Sequence, residues 1–233
     1  MEGPWRIPGD ATQGREDGKA HLFFSDRWTE AMYKRLTLLL LIIAPLFIQS
    51  CASVHYSYVD KKVDGTLQLH PVDAESRSRV LALKDDLLAL GPRVRETDAL
   101  LVAESAVAVP MALANEYQLV TPPLWHNHLV NKGKRQRGLC FHWTKDLMGY
   151  LTRLDQSSFD FHWGVAHRET AWRYHSSVVV TAKGRPFEEG IVLDGWRHSG
   201  RLFWCPVKKD KYPWVPDEER SPQETWRGKN GLR

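Results

Sequence analysis

Two runs constrain this chain more than any other part of it: Tyr174-His175-Ser176-Ser177-Val178-Val179-Val180-Thr181 and Gly190-Ile191-Val192-Leu193-Asp194-Gly195-Trp196. Both are rich in β-branched and aromatic residues, and Lys183-Gly184-Arg185-Pro186 between them supplies turn residues. They predict an antiparallel strand pair, because strands joined by a short connection must run in opposite directions. Alternation puts His175, Ser177, Val179 and Thr181 on one face of the first strand, and Val192, Asp194 and Trp196 on one face of the second. With Thr181 opposite Glu188, the register sets Asp194 opposite His175, with neighbouring side chains at ~5 Å. A slip of one residue would send the two to opposite faces.

Upstream the apolar period changes from that of a strand to that of a helix. Asp73 or Ser76 caps a helix running to about Leu90, with Val80, Leu83, Leu87 and Leu90 on one face, and Gly91-Pro92 stops it. Thr97 to Tyr117, rich in Ala, Leu and Glu, predicts a second helix that Pro110 kinks or breaks. Thr121-Pro122-Pro123 reads as a turn, and Leu124 to Gly133 as a short helix or loop. No internal repeat is present. Helices first and strands later, from Phe159 to Val207, give an α+β class: a helical lobe followed by a small antiparallel β-sheet. From Lys208 onward, charge together with Pro213, Pro216 and Pro222 predicts a surface-hugging or disordered tail.

The chain of 233 residues suits one domain with flanking segments. Its formal charge of +4 is mild and its basic residues are scattered, without a dense block or a recognition motif, so nucleic acid is not an expected partner. Three cysteines, Cys51, Cys140 and Cys205, are too few to build a disulfide scaffold. A structural bridge between Cys140 and Cys205 stays open as a rival to any chemistry at Cys140.

Residues 1–31 are polar, charged and glycine-rich, and read as a non-native or disordered extension, with either Met1 or Met32 as the true start. Met32-Tyr33-Lys34-Arg35, the apolar run Leu36 to Ile48 and the small residues after it have the layout of a secretory signal over 32–50. The run is well short of the ~20 residues a spanning helix needs. Its end, Ile48-Gln49-Ser50-Cys51, resembles the lipobox of bacterial lipoproteins, with Gln49 where that family carries a small residue. The resemblance implies lipidation of Cys51 and an address in the cell envelope, at the outer membrane facing the periplasm; the polar, mixed stretch that follows makes 51–73 a lipidated tether with room for one short strand.

Cys140 begins a segment in which Cys140, Trp143, Leu147, Leu151 and Leu154 share one helical face. A thiol at a helix start meets free N–H groups and the positive end of the helix dipole, which favour the thiolate. Gly138 lets the incoming loop pass close to that end. The order of a helix-start cysteine, a strand histidine and an aspartate on the next strand resembles the papain-like and transglutaminase-like superfamily of cysteine enzymes. On that resemblance the domain is 74–207, with Cys140 as nucleophile, His175 as general base and Asp194 as the orienting acid. Gln136 stands near the position of the family's oxyanion glutamine, at a shorter spacing. The implied activity is amide hydrolysis or acyl transfer through a thioester, on a peptide or peptidoglycan-stem substrate, without a metal or cofactor. A non-catalytic binding module on the same fold is the first rival. A zinc hydrolase is the second, given His126, His128, His142, His162, His167 and His198, although no HExxH or paired CxxC pattern is present.

Overall fold

The computed structural model describes residues 32–38, 52–57, 59–61, 67–69 and 74–221. The chain divides into two units, Met1–Ser50 and Cys51–Arg233. In the first unit the described residues form one helical stretch, 32–38. Most of the expected signal sequence, the lipobox and Cys51 lie outside the described residues, as do the polar extension 1–31 and the last residues of the chain.

The second unit is α+β. Its helices are α1 (Ala74–Leu88), α2 (Glu96–Glu116), α3 (Pro123–Asn131) and α4 (Cys140–Leu151). Helix α1 buries Val80, Leu83 and Leu87 along one side, at the spacing read from the sequence. Helix α2 is apolar nearly all round because it is buried nearly all round: Val102, Ala103, Ala106, Val107 and Leu113 are among its enclosed residues. It is long and apolar enough to cross a membrane, yet most of it is buried inside the unit, as befits a core helix. Pro110 does not break it. The helix runs through the proline, whose ring packs close to the backbone of Gly195. Packing on both sides outweighs the one backbone hydrogen bond that a proline forfeits.

A hairpin of β1 (Val59–Lys61) and β2 (Leu67–Leu69) rests on α2. The main sheet contains β3 (Phe159–Ala166), β4 (His175–Ala182), β5 (Ile191–Asp194), β6 (Phe203–Pro206) and β7 (Val215–Pro216). Its order is β6-β5-β4-β3-β7, and every pair is antiparallel. All eight residues of β4 are buried. The reason is that both faces of the sheet are covered. Val178, Val180, Ile191 and Leu193 join the core formed by Trp143, Leu147, Leu151 and α2. Val179 and Val192 face a second cluster with Phe187, Val207 and Trp214. A half-solvated antiparallel strand would have alternated instead.

Three expectations need correction. The hairpin register pairs Val178 with Leu193 and Val180 with Ile191, two residues away from the register that would set Asp194 opposite His175. The connection is longer than a tight turn because Phe187–Glu189 coil into a 3₁₀ turn before β5 begins. The segment read as a tether is anchored: Val54 N–H donates to Leu119 O at 2.8 Å, Tyr56 Oη donates to Ser199 O at 3.0 Å, and Val59 is buried. The segment read as a polar tail from Lys208 is part of the domain as far as residue 221. Trp214 and Asp217 are buried, β7 pairs with β3, and Ser221 Oγ accepts from Trp163 N–H at 2.9 Å.

Candidate active site

Cys140 is the first residue of α4, and the loop before it is held by three separate devices. Gly138 adopts φ +121°, and a Cβ there would lie 2.3 Å from His126 Nε2. His126 is fully buried; its Nδ1 accepts from Val120 N–H at 3.3 Å, so its Nε2 carries the proton and donates to Arg137 O at 2.8 Å. Burial holds this imidazole below its ordinary pKa, so it serves as a neutral strut. Next, His142 Nδ1 accepts from both Gly138 N–H and Leu139 N–H at 3.2 Å, and Trp143 Nε1 donates to Gly138 O at 2.8 Å. Finally, Asp146 on α4 accepts from Tyr117 Oη at 2.6 Å and from Arg137 at 2.6 and 2.7 Å, tying loop and helix to α2. His126 and His142 thus both brace the loop that delivers Cys140.

The sulfur of Cys140 faces His175 and Ser176 at the start of β4, and its pKa is lowered from the ordinary 9.0. Burial alone would raise it, but the imidazole and the N–H and hydroxyl of Ser176 more than offset that. Thr144 Oγ1 donates to the Cys140 carbonyl at 3.0 Å and lies 3.1 Å from Ser176 Oγ, which ties the start of α4 to the start of β4. His175 Nε2 lies 2.7 Å from Asp194 Oδ2, and both side chains are buried. That bond leaves Nδ1 as the nitrogen available to the thiol. Burial pulls the His175 pKa down, yet the Asp194 charge, its hydrogen bond and the thiol raise it to about 9. Its ring is walled by Trp196, Tyr212 and Trp214, with centroids at 5.0, 5.4 and 5.6 Å.

The register shift did not part His175 from Asp194, because a slip of two residues preserves the face. The two meet on a diagonal instead of directly across the strands. Asp194 also accepts from Trp196 N–H at 3.0 Å and Arg197 N–H at 3.1 Å through Oδ1, and from Arg197 Nε at 3.1 Å through Oδ2. Burial would raise its pKa, but His175 and Arg197 hold it below the ordinary carboxylate value.

Gln136 is exposed on the loop and makes no hydrogen bond among the described residues, so nothing places it at the thiol. Cys140 and Cys205 are both free, which removes the disulfide rival, and burial raises the Cys205 pKa. Among the described residues no three His, Cys, Asp or Glu side chains gather as a metal site. Two surface hollows, of about 540 and 640 Å³, lie elsewhere, the second touching the Cys140 neighbourhood only through Arg197. Cys140, His175 and Asp194 meet instead at the start of β4, where His175 and Asp194 are buried. Sequence reasoning missed Ser176, Arg197, Asp210, Tyr212 and Trp214. For the last three the local composition pointed the other way. Comparison with known proteins finds no matching family model, no similar curated protein and no similar solved structure.

Proposed function

We propose that this chain is a cysteine hydrolase or acyltransferase acting on amide bonds, of the papain-like or transglutaminase-like kind, tethered to the bacterial envelope through lipid on Cys51. The observation that carries the reading is the buried His175–Asp194 bond of 2.7 Å with the Cys140 thiol against the same imidazole. At neutral pH the thiol proton resides on His175, giving a thiolate beside an imidazolium. The sulfur attacks the carbonyl carbon of an amide, and the carbonyl oxygen takes the negative charge. The N–H of Cys140, at the open end of α4, is the donor best placed for that oxygen. The imidazolium then gives its proton to the departing nitrogen as the C–N bond breaks, leaving a thioester and a free amine. Water or a second amine attacks the thioester, His175 accepts the proton of the attacking group, and sulfur leaves as thiolate. Asp194 keeps Nε2 protonated, so that Nδ1 handles the moving proton.

Alkylation by iodoacetamide near pH 7, followed residue by residue with mass spectrometry, tests the chemistry. Cys140 should react faster than Cys205 and than a model thiol, and His175→Ala should slow it. Equal, slow labelling of both cysteines would overturn the enzyme and restore the binding module. For the anchor, Cys51→Ser should abolish incorporation of labelled fatty acid in bacterial cells, and persistent incorporation would refute it.

A further inference from the structure

The partners behind the imidazole do not end at Asp194. Arg197 donates through Nε to Asp194 at 3.1 Å, and through its two terminal nitrogens to Asp210 at 3.1 and 2.8 Å. Asp210 is itself held by Trp214 Nε1 at 2.9 Å. The guanidinium lies over the rings of Phe203 at 4.0 Å and Tyr212 at 4.7 Å. Its side chain is 12% exposed, against 1% for Asp194 and 2% for Asp210. One planar fork thus grips two buried carboxylates at once.

We propose that Arg197, clamped by Asp210, is the positioning residue that fixes the Asp194 carboxylate toward His175. The inference rests on the enzyme reading and deepens it. A carboxylate held only by its own local N–H groups could rotate and offer either oxygen to the ring. Here Oδ1 is engaged by two backbone donors and Oδ2 by Arg197 Nε, so a single orientation survives. The fork geometry is specific to arginine, since a lysine ammonium is a point charge that cannot hold both carboxylates in one plane. Asp210 has an electrical role as well. An unopposed guanidinium would compete with the imidazolium for Asp194, and a second carboxylate cancels that competition. The charged and titratable groups in play are Cys140, Asp194 and Tyr212 against His175, His175 and Arg197 against Asp194, and Asp194 and Asp210 against Arg197.

The test is the pH profile of Cys140 alkylation in the full chain, alongside thermal melting. In the wild type the rate should rise once as the thiol ionises beside the imidazolium, and again as the imidazolium deprotonates. Arg197→Gln should slow labelling at pH 7 by between about 10- and 100-fold, the range that loss of an orienting partner costs at metal sites. Its first rise should move to higher pH. Arg197→Lys should recover less than half of that loss on a logarithmic scale. Asp210→Asn should move the second rise to lower pH, and it carries the test if Arg197→Gln does not fold. Variants that melt lower but keep the wild-type rate and both rises would make Arg197 a merely structural clamp and overturn the proposal. Slow labelling of the wild type would instead sink the enzyme reading itself.

Discussion

Replacing Asp194 by Asn removes one charge and almost no volume, yet it reverses the hydrogen bonding around His175. The Asn oxygen would stay with the N–H groups of Trp196 and Arg197, which now hold Oδ1. Its NH₂ would then face His175 Nε2 and Arg197 Nε, where Oδ2 now accepts from both. Donor meets donor, so the imidazole must shed its Nε2 proton and carry one on Nδ1, facing the sulfur. That tautomer cannot accept the thiol proton. The energy scale comes from His175, whose pKa is raised from 6.5 to about 9 against a burial that alone would lower it. At 1.36 kcal/mol per unit, the net preference for protonated His175, with burial opposing and the carboxylate and thiol favouring it, is roughly 3 kcal/mol. A folded-state pKa above the unfolded one gives stability that is fully present below pH 6.5 and fades as pH rises through about 9. In a Cys140→Ala background, where no thiol titrates in the opposite sense, urea unfolding from pH 6 to 10 should show that decline, and adding Asp194→Asn should lower stability at pH 6 and remove most of the slope. With Cys140 present, Asp194→Asn should also let the thiol alkylate only at the rate of an ordinary thiol at pH 7. A variant with an unchanged pH slope and unchanged labelling would refute the coupling of carboxylate, imidazole and sulfur.

Two further outcomes test the scaffold. Gly138→Ala forces a Cβ into the left-handed region at φ +121° and to 2.3 Å from a fully buried His126 ring. Backbone strain of that kind costs about 1–3 kcal/mol before the clash is counted, so a destabilisation below about 1 kcal/mol in chemical denaturation would contradict the close approach. Ending the chain after Lys209 deletes Asp210, Tyr212, Trp214 and β7, and should lower the melting temperature and return Cys140 to ordinary thiol reactivity. A truncated protein that melts and labels like the full chain would reinstate the tail reading.

What could be read from the residues was whatever depends on local period. The stripe Trp143, Leu147 and Leu151 placed the start of α4 at Cys140, because a helix repeats its face every three or four residues. The shared face of His175 and Asp194 was legible too, since parity along a strand needs only counting. Register was not legible: it depends on how many residues the connection uses, and Phe187–Glu189 use three in a 3₁₀ turn. Gly190 then enters β5 so close to Val179 and the Val180 carbonyl that a Cβ would sit 2.6–2.7 Å from them. The C-terminal segment was least legible. Asp210 and Trp214 gain meaning only from Arg197 and His175, which lie earlier in the chain, while their own neighbours are prolines and charges. Burial of that kind is decided by distant partners, and a local window cannot see it.

The rings around His175 also have a bearing on when the sulfur becomes reactive. A chain made from its amino end presents Cys140 long before Tyr212 and Trp214 exist, and before Asp210 can steady the arginine. Without that last segment the imidazole would lack two of its three walls, and the arginine behind its carboxylate would lack Asp210. If the proposed chemistry holds, Cys140 would then gain its reactivity only once residues 210–214 have seated.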